Sequence, residues 1–286
     1  KGKIIDTLIA APIVDENRFR FDLNSLAKDY LKESKSETQL REAAKMWGLD
    51  PKADLWKLPA SHVGHYAEQD AAVTLRLWQH LQKEIAGQNL INIFQLETDL
   101  FPVLFEMKRK GVRIDLDKAE VIKNDLHKQE KQLLQSIKKL SGTSVEIWAA
   151  TSVAKAFDAL QIPYNHTETG KPSFDKNFLS SHDSPLAQMV VKAREINKAR
   201  TTFIDSILKH SHRGRIHAEI HQMRSDQGGT VTGRFSYSNP NLQQIPARNQ
   251  IIGPLIRSLF IPEKNHQWGI FDYSQQEPRL IAHYAS

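Results

Sequence analysis

The sequence contains no cysteine. Disulfides, thiolate nucleophiles and every Cys-containing zinc or iron–sulfur site are therefore excluded, and any metal must be held by oxygen or imidazole ligands. No apolar run approaches the roughly 20 residues needed to cross a bilayer, which removes membrane insertion as a function class. No His-Glu-x-x-His motif of a zinc-protease helix occurs, and neither a glycine-rich phosphate loop nor a placeable Ser/His/Asp order is found. Internal repeats and low-complexity tracts are absent as well. What remains is a globular composition, 40% apolar and 25% charged over 286 residues, enough for roughly two domains at about 150 residues each. The 39 Lys and Arg outnumber the 33 Asp and Glu, a net +6 that gives a mild bias towards polyanions. The chain starts at Lys1 without a Met or a signal pattern and stops at Ser286 inside an apparent helix, as a partial chain would.

Residues 22–81 have helical spacing. Leu23, Leu26 and Leu31 form one series, and Val73, Leu77 and Leu81 line a second helix that starts near His62. A third helix is predicted from about Glu97 to Lys110 with a stop at Gly111, followed by a short strand at Val112-Arg113-Ile114-Asp115 and then a long helix. Between Glu106 and Lys139, ten Lys and Arg stand against six Asp and Glu, net +4, beside Leu126, Leu133, Leu134 and Ile137. This reads as an extended helical pair with a basic exposed side; a solvated charged face is the plainer alternative. Residues 162–173 are punctuated as a loop, and helices resume through 186–208. Beyond Arg213 the character changes. Arg215-Ile216-His217-Ala218-Glu219-Ile220 alternates, Gly228-Gly229 and Thr232-Gly233 mark turns, and Gln267-Trp268-Gly269-Ile270-Phe271 is predicted as an apolar strand ending at Asp272.

A carboxylate fixed at the end of a buried strand suits a hard cation such as Mg2+, which takes one or two carboxylates plus carbonyl and phosphate oxygens. The alternative at this position is local: Ser274-x-x-Glu277 fits a helix capping box. Upstream, Tyr66 and Asp70 fall one helical turn apart and share a helix face, a spacing common by chance.

Asp272, Tyr273, Ser274, Gln275, Glu277, Arg279, Ala282 and His283 together resemble motif A of family A (DNA polymerase I type) DNA polymerases. Thr232-Gly233-Arg234-Phe235-Ser236 and the run from Pro240-Asn241-Leu242-Gln243 to Ala247-Arg248 resemble two further blocks of that family, in the expected order. Ala193-Arg194 with Lys198-Ala199-Arg200-Thr201-Thr202-Phe203 is similar to its thumb–palm junction, whereas Trp148-Ala149-Ala150 departs from its thumb pattern and carries over no DNA contact. Tyr66-Ala67-Glu68-Gln69-Asp70 resembles the third motif of its 3′-5′ exonuclease domain, and Asp6-Thr7 that domain's Asp-Thr strand. Pro278 stands where the family has an apolar helix former, at a first-turn position where a missing N–H costs least.

The resemblance covers nearly the whole chain and implies an α+β fold of right-hand polymerase architecture. Residues 1–90 would be the C-terminal part of a ribonuclease H-like exonuclease domain, 91–212 the helical thumb and its junction, and 213–286 the N-terminal part of the palm. It implies a DNA-directed DNA polymerase in replication or repair. Asp272 and the Tyr273 carbonyl would hold two Mg2+ ions, Glu277 would exclude a ribose 2′-OH, and Arg248 would lie near the triphosphate or template. Arg234, Asn241 and Gln243 would track the minor groove, where the acceptors that every base pair presents allow pairing to be checked without reading sequence. Arg194 and Lys198 would hold phosphates, and a plain surface charge is the reading for Arg200. Tyr66 and Asp70 would serve a divalent metal at the exonuclease site, whose other carboxylate motifs the sequence lacks. The implied partners are primer–template DNA, deoxynucleoside triphosphates and a separate C-terminal polymerase segment carrying the fingers and second palm carboxylate, with no membrane. The implied location is cytoplasmic, at the nucleoid or replication site. Rival readings are a non-catalytic DNA-binding half of a split polymerase and an exonuclease fragment.

Overall fold

Side-chain caps open several of the helices and glycines stop two of them in the computed structural model, which describes residues 4–34, 36–246 and 249–285. Asp6 accepts the Leu8 N–H and opens α1 (Thr7–Val14). Asp22 accepts from the backbone N–H and hydroxyl of Ser25 and opens α2 (Leu23–Leu26), which continues as a π-helical turn, Ala27–Leu31. Then come α3 (Thr38–Met46), α4 (Ala60–Gly87) and α5 (Ile91–Lys110), the last stopped by Gly111 at φ 64°. After β1 (Val112–Arg113), Asp115 caps α6 (Leu116–Ser141), and Gly142 at φ 71° ends it. α7 (Ala150–Ala159), β2 (Asn165–His166), β3 (Pro172–Ser173) and α8 (Lys176–Ser181) precede α9 (Pro185–Lys198), which has Ser184 as its cap and Pro185 at its first position. A π-helical turn, Ala199–Ile204, joins α9 to α10 (Asp205–His210). The remaining elements are β4 (Ser211–His212), β5 (Arg215–Ile216), β6 (Glu219–His221), β7 (Ser236–Ser238), α11 (Ile252–Arg257) and α12 (Gln276–Ala285).

The chain packs as two units. The first, Lys1–Gly111 with His217–Ile245, buries Ile9, Phe21, Leu26, Leu77, Leu81, Ile85 and Phe94 where α1 and α2 meet α4 and α5. A smaller cluster of Leu40, Ala44 and Leu58 joins α3 to the start of α4. β6 and β7 pair antiparallel with Ile220 opposite Tyr237, and Asp226 and Gln222 tie this hairpin region to Phe21 N–H and the Glu97 carbonyl. The second unit, Val112–Ile216 with Pro246–Ser286, is built on α6 against α9. Its core contains Ile137, Val153, Phe157, Phe174, Leu179, Leu186 and Val190, and its small sheet has the order β1-β5-β4. These packing units do not coincide with the sequence segments 1–90, 91–212 and 213–286, because α5 packs with α1 and α4, and α11 packs against the π-helical turn that follows α9.

Three expectations are corrected. The alternating run 215–220 is two strands with different partners: Ile216 pairs with Val112 and Ser211, Ile220 with Tyr237. The loop at 162–173 contains the β2–β3 hairpin, Asn165 opposite Ser173. Residues 267–271 form neither a strand nor part of a core; Ile270 is 91% and Phe271 96% exposed. An apolar run alone does not make a strand: the backbone needs ladder partners and the apolar side chains a cover, and among the described residues none pairs there.

Candidate nucleic-acid interface and metal-binding carboxylate

A connected polar cluster lies between α6 and α9. The buried side of α6 is Ala119, Ile122, Leu126, Glu130 and Ile137, so one carboxylate sits in an apolar stripe, 8% exposed. Such a group must be paired. Asn197 Nδ2 donates to Glu130 Oε1 at 2.6 Å, and Arg200 Nε donates to Oε2 at 3.1 Å. Arg200 also faces Asp205 at 3.6 Å, and Lys123 pairs with Asp205 at 3.0 Å, a hydrogen bond that raises the Lys123 pKa above its ordinary value. Arg200 is therefore no plain surface charge, as the sequence reading had it; it closes the buried end of a network at the start of the π-helical turn.

The outer end of the network is Trp148, whose Nε1–H donates to Asn197 Oδ1 at 2.8 Å. Arg194, one turn before Lys198 on α9, sits over the Trp148 ring at 5.3 Å and donates to the carbonyls of Ile147 and Phe174 at 2.7 and 2.6 Å. Burial lowers its pKa from the ordinary guanidinium value. Two of the N–H groups expected to meet phosphate are thus engaged inside the unit, while Lys198 is exposed. Sequence reasoning missed Glu130, Asn197 and Trp148. The available signal was Glu130 itself, a charge at core spacing on an amphipathic helix.

In the first unit, Arg234, Asn241 and Gln243 are each exposed, on either side of the half-buried strand β7 and the buried Pro240. Gly233, at φ 73°, lets the chain turn ahead of Arg234, and Thr230 Oγ1 donates to the Arg234 carbonyl at 2.7 Å. Asn241 Oδ1 accepts the Gln243 N–H at 3.1 Å, and Gln243 Nε2 donates to the Phe235 carbonyl at 2.8 Å. The preceding turn requires glycine: a Cβ on Gly229 would stand 2.2 Å from the Met223 carbonyl oxygen. Arg248 lies outside the described residues.

Asp272, Tyr273 and Glu277 occupy the exposed stretch that enters α12. Gln275 is left-handed at φ 52°, and the helix begins at Gln276, so Ser274 is not its cap and the predicted capping box does not form. Glu277 takes the second helical position and Pro278 the third, where no intrahelical N–H bond is lost. The Asp272 carboxylate and Tyr273 carbonyl are hard oxygen donors of the kind Mg2+ takes, but they are one carboxylate and one carbonyl. Among the described residues, no group of three or more His, Cys, Asp or Glu side chains gathers into a metal cluster. Tyr66 and Asp70 lie one turn apart on α4, both half-buried, with Tyr66 packed on the Leu40–Ala44–Leu58 cluster.

Comparison with known proteins gives two family matches. The family described as DNA polymerase family A matches residues 116–286, and the one described as 3'-5' exonuclease matches residues 2–86. A DNA-directed DNA polymerase of Pseudomonas phage M6 is 37% identical over 98% of this chain and 44% of its own length. A DNA polymerase DpoZ of Acinetobacter phage SH-Ab 15497 is 34% identical over 98% of this chain and 49% of its own. The chain thus spans less than half the length of these relatives. The POL domain of Pol1 from M. smegmatis, solved in complex with DNA primer-template and dNTP, superposes with a TM-score of 0.68 at 24% identity, covering 90% of this chain and 41% of that one. The α+β reading, as an exonuclease end leading into a polymerase thumb and palm, is borne out. No helix among the described residues is long and apolar enough to cross a membrane.

Proposed function

The chain belongs to DNA polymerase family A, and from that premise we propose that it holds primer–template DNA and contributes one carboxylate to a site of template-directed deoxynucleotidyl transfer. The observation that carries this reading is the stretch 268–285. It brings Asp272 and Glu277 to the mouth of α12 in the open, with the apolar side chains around them uncovered. A site in that condition is half of a larger one. We place residues 1–90 as the end of the exonuclease domain, 91–212 as the thumb and 213–286 as the first part of the palm, with the exposed apolar side chains covered by a further polymerase segment that brings the fingers and second carboxylate.

In the completed site, Asp272 and the Tyr273 carbonyl would hold the Mg2+ pair, which supplies positive charge against the transferring phosphoryl group. Glu277 excludes a ribose 2′-OH, and Arg248 meets the triphosphate or template. Arg234, Asn241 and Gln243 present donors to the minor groove, and Lys198 meets phosphate, with Arg194 bracing its helix as well as facing the strand. Tyr66 and Asp70 serve a metal-dependent 3′-5′ exonuclease site that needs the family's other carboxylates. The solved neighbour's DNA and nucleotide support these partners for this chain, and phage and bacterial polymerase relatives support work at a cytoplasmic replication site.

The test is binding of the full chain to primer–template DNA across ionic strength. Neutralised phosphates release counterions, so several contacts should cost orders of magnitude in affinity between about 50 and 200 mM salt. A flat response would remove the DNA-holding role. A steep response with no primer extension in Mg2+ is the expected pairing for the chain alone; extension by the chain alone would contradict its half-site character.

A further inference from the structure

Trp148 is 58% exposed, yet it is held in one pose. Its indole N–H is bonded to Asn197, which the buried Glu130 holds from the other side, and the Arg194 guanidinium lies over the ring. Leaving an indole in water forgoes its burial, and fixing it costs rotamer entropy. A binding surface repays both when a flat partner stacks on a ring that needs no further ordering.

Beside the indole opens a cavity of about 350 Å³, within the range of small-ligand sites. Phe174 and Leu179, both buried, contribute its apolar lining, and Lys176 and Lys198 are exposed at its edge. Two carboxylates also line it. Asp175 caps α8, accepting the Phe178 N–H at 2.8 Å, and with Glu195 it faces Lys176, Lys198 and Arg194, so the lining keeps a small positive excess. An apolar floor, a fixed aromatic wall and a cationic edge do not suit a bare anion, which would use only the edge, or an apolar peptide, which would strand the lysines. They suit a flat heterocycle that carries phosphate.

We propose that Trp148 and this cavity form a nucleobase-stacking subsite, taking a base with its attached phosphate from an unpaired DNA strand or from a free nucleotide. The inference rests on the DNA-holding reading for its strand source, and the Trp148-Ala149-Ala150 departure from the family's thumb pattern is then a change of contact.

The test uses the full chain with labelled (dT)12, blunt duplex and dATP as probes, comparing wild type with Trp148→Ala and Trp148→Phe. Base–aromatic stacking lost on truncation should weaken (dT)12 binding about tenfold in Trp148→Ala. Trp148→Phe, which keeps a ring but loses the indole N–H, should stay within about twofold. Blunt-duplex affinity should not change in either variant. Indole emission should be quenched by (dT)12 in the wild type and not in Trp148→Phe; quenching by dATP instead assigns the subsite to free nucleotide. A Trp148→Phe loss equal to that of Trp148→Ala, accompanied by a lower melting temperature, would show that the indole only braces Asn197 and would overturn the proposal. If no DNA probe binds, the DNA-holding reading fails, and the dATP arm alone decides this one: no quenching of Trp148 overturns it.

Discussion

Between α6 and α9, Arg194 and Arg200 direct guanidinium N–H groups to carbonyls and a carboxylate of their own unit, and Glu130 is enclosed by Asn197 and Arg200. Between Lys264 and α12 the same unit shows the opposite condition: Trp268, Ile270, Phe271 and Tyr273 are exposed, and Asp272 stands among them. Both stretches carry motifs of one polymerase family. The difference lies in where each motif residue finds its partner. The residues between α6 and α9 find theirs within the described chain, so their substitution should be felt first as stability. The residues around Asp272 find none of their cover there, so their substitution should be felt only when a reaction is assayed.

The largest expected effect is on the exposed side. In the completed polymerase, Asp272→Ala should lower nucleotide addition by roughly a thousandfold or more, as loss of a metal-holding group does, while primer–template affinity stays nearly unchanged. Steady-state primer extension beside a binding isotherm checks this, and near-normal turnover would break the contrast. Its melting temperature should match the wild type.

Next comes the enclosed side. Glu130→Ala leaves Arg200 and Asn197 without their shared carboxylate and should cost about 3 kcal/mol of stability, read from a denaturant midpoint. A loss below about 0.5 kcal/mol, the size of an ordinary surface substitution, would show that the network contributes no more than surface charge.

Glu277→Ala is expected to be smaller and to sharpen the distinction. Since Ser274 does not cap α12, stability should stay within about 0.5 kcal/mol, whereas deoxy-over-ribo selection in the completed enzyme should fall. A drop of about 1 kcal/mol with selection intact would restore the capping box.

The smallest effect concerns pH. The Lys123 pKa is raised by its hydrogen bond to Asp205. A raised amine contributes stability that is fully present below its unfolded value, about 10.4, and lost as pH rises through the folded value. Wild type should therefore lose slightly more stability than Lys123→Met on going above about pH 10, and the difference should shrink in salt. Parallel curves for the two would remove Lys123 from the network.

Much of this was legible in the sequence. The helical spacing of Val73, Leu77 and Leu81 survives as the buried face of α4, and Gly111 ends α5 because the chain there needs a positive φ. The ordered blocks from Thr232 to His283 pointed to the family by residue identity, which needs no geometry. The Arg200–Glu130 pair was not legible, since its members are 70 positions apart: Glu130 at core spacing signals a buried charge, but nothing in the sequence names Arg200 as its partner. The stretch 267–271 misled because an apolar run reports which side chains could enter a core, while a strand also needs a neighbour to bond. Ser274-x-x-Glu277 misled because the left-handed Gln275 moved the helix start past the expected cap.

The central claim is that this chain supplies Asp272 to a site that other polymerase sequence completes. Its most direct test mixes the chain with a polypeptide supplying the remainder of a family A palm and fingers, and follows primer extension in Mg2+. Extension that requires both components and vanishes with Asp272→Ala is the expected result. Extension that persists with Asp272→Ala, or none from a folded assembly that binds primer–template and nucleotide, would contradict the account.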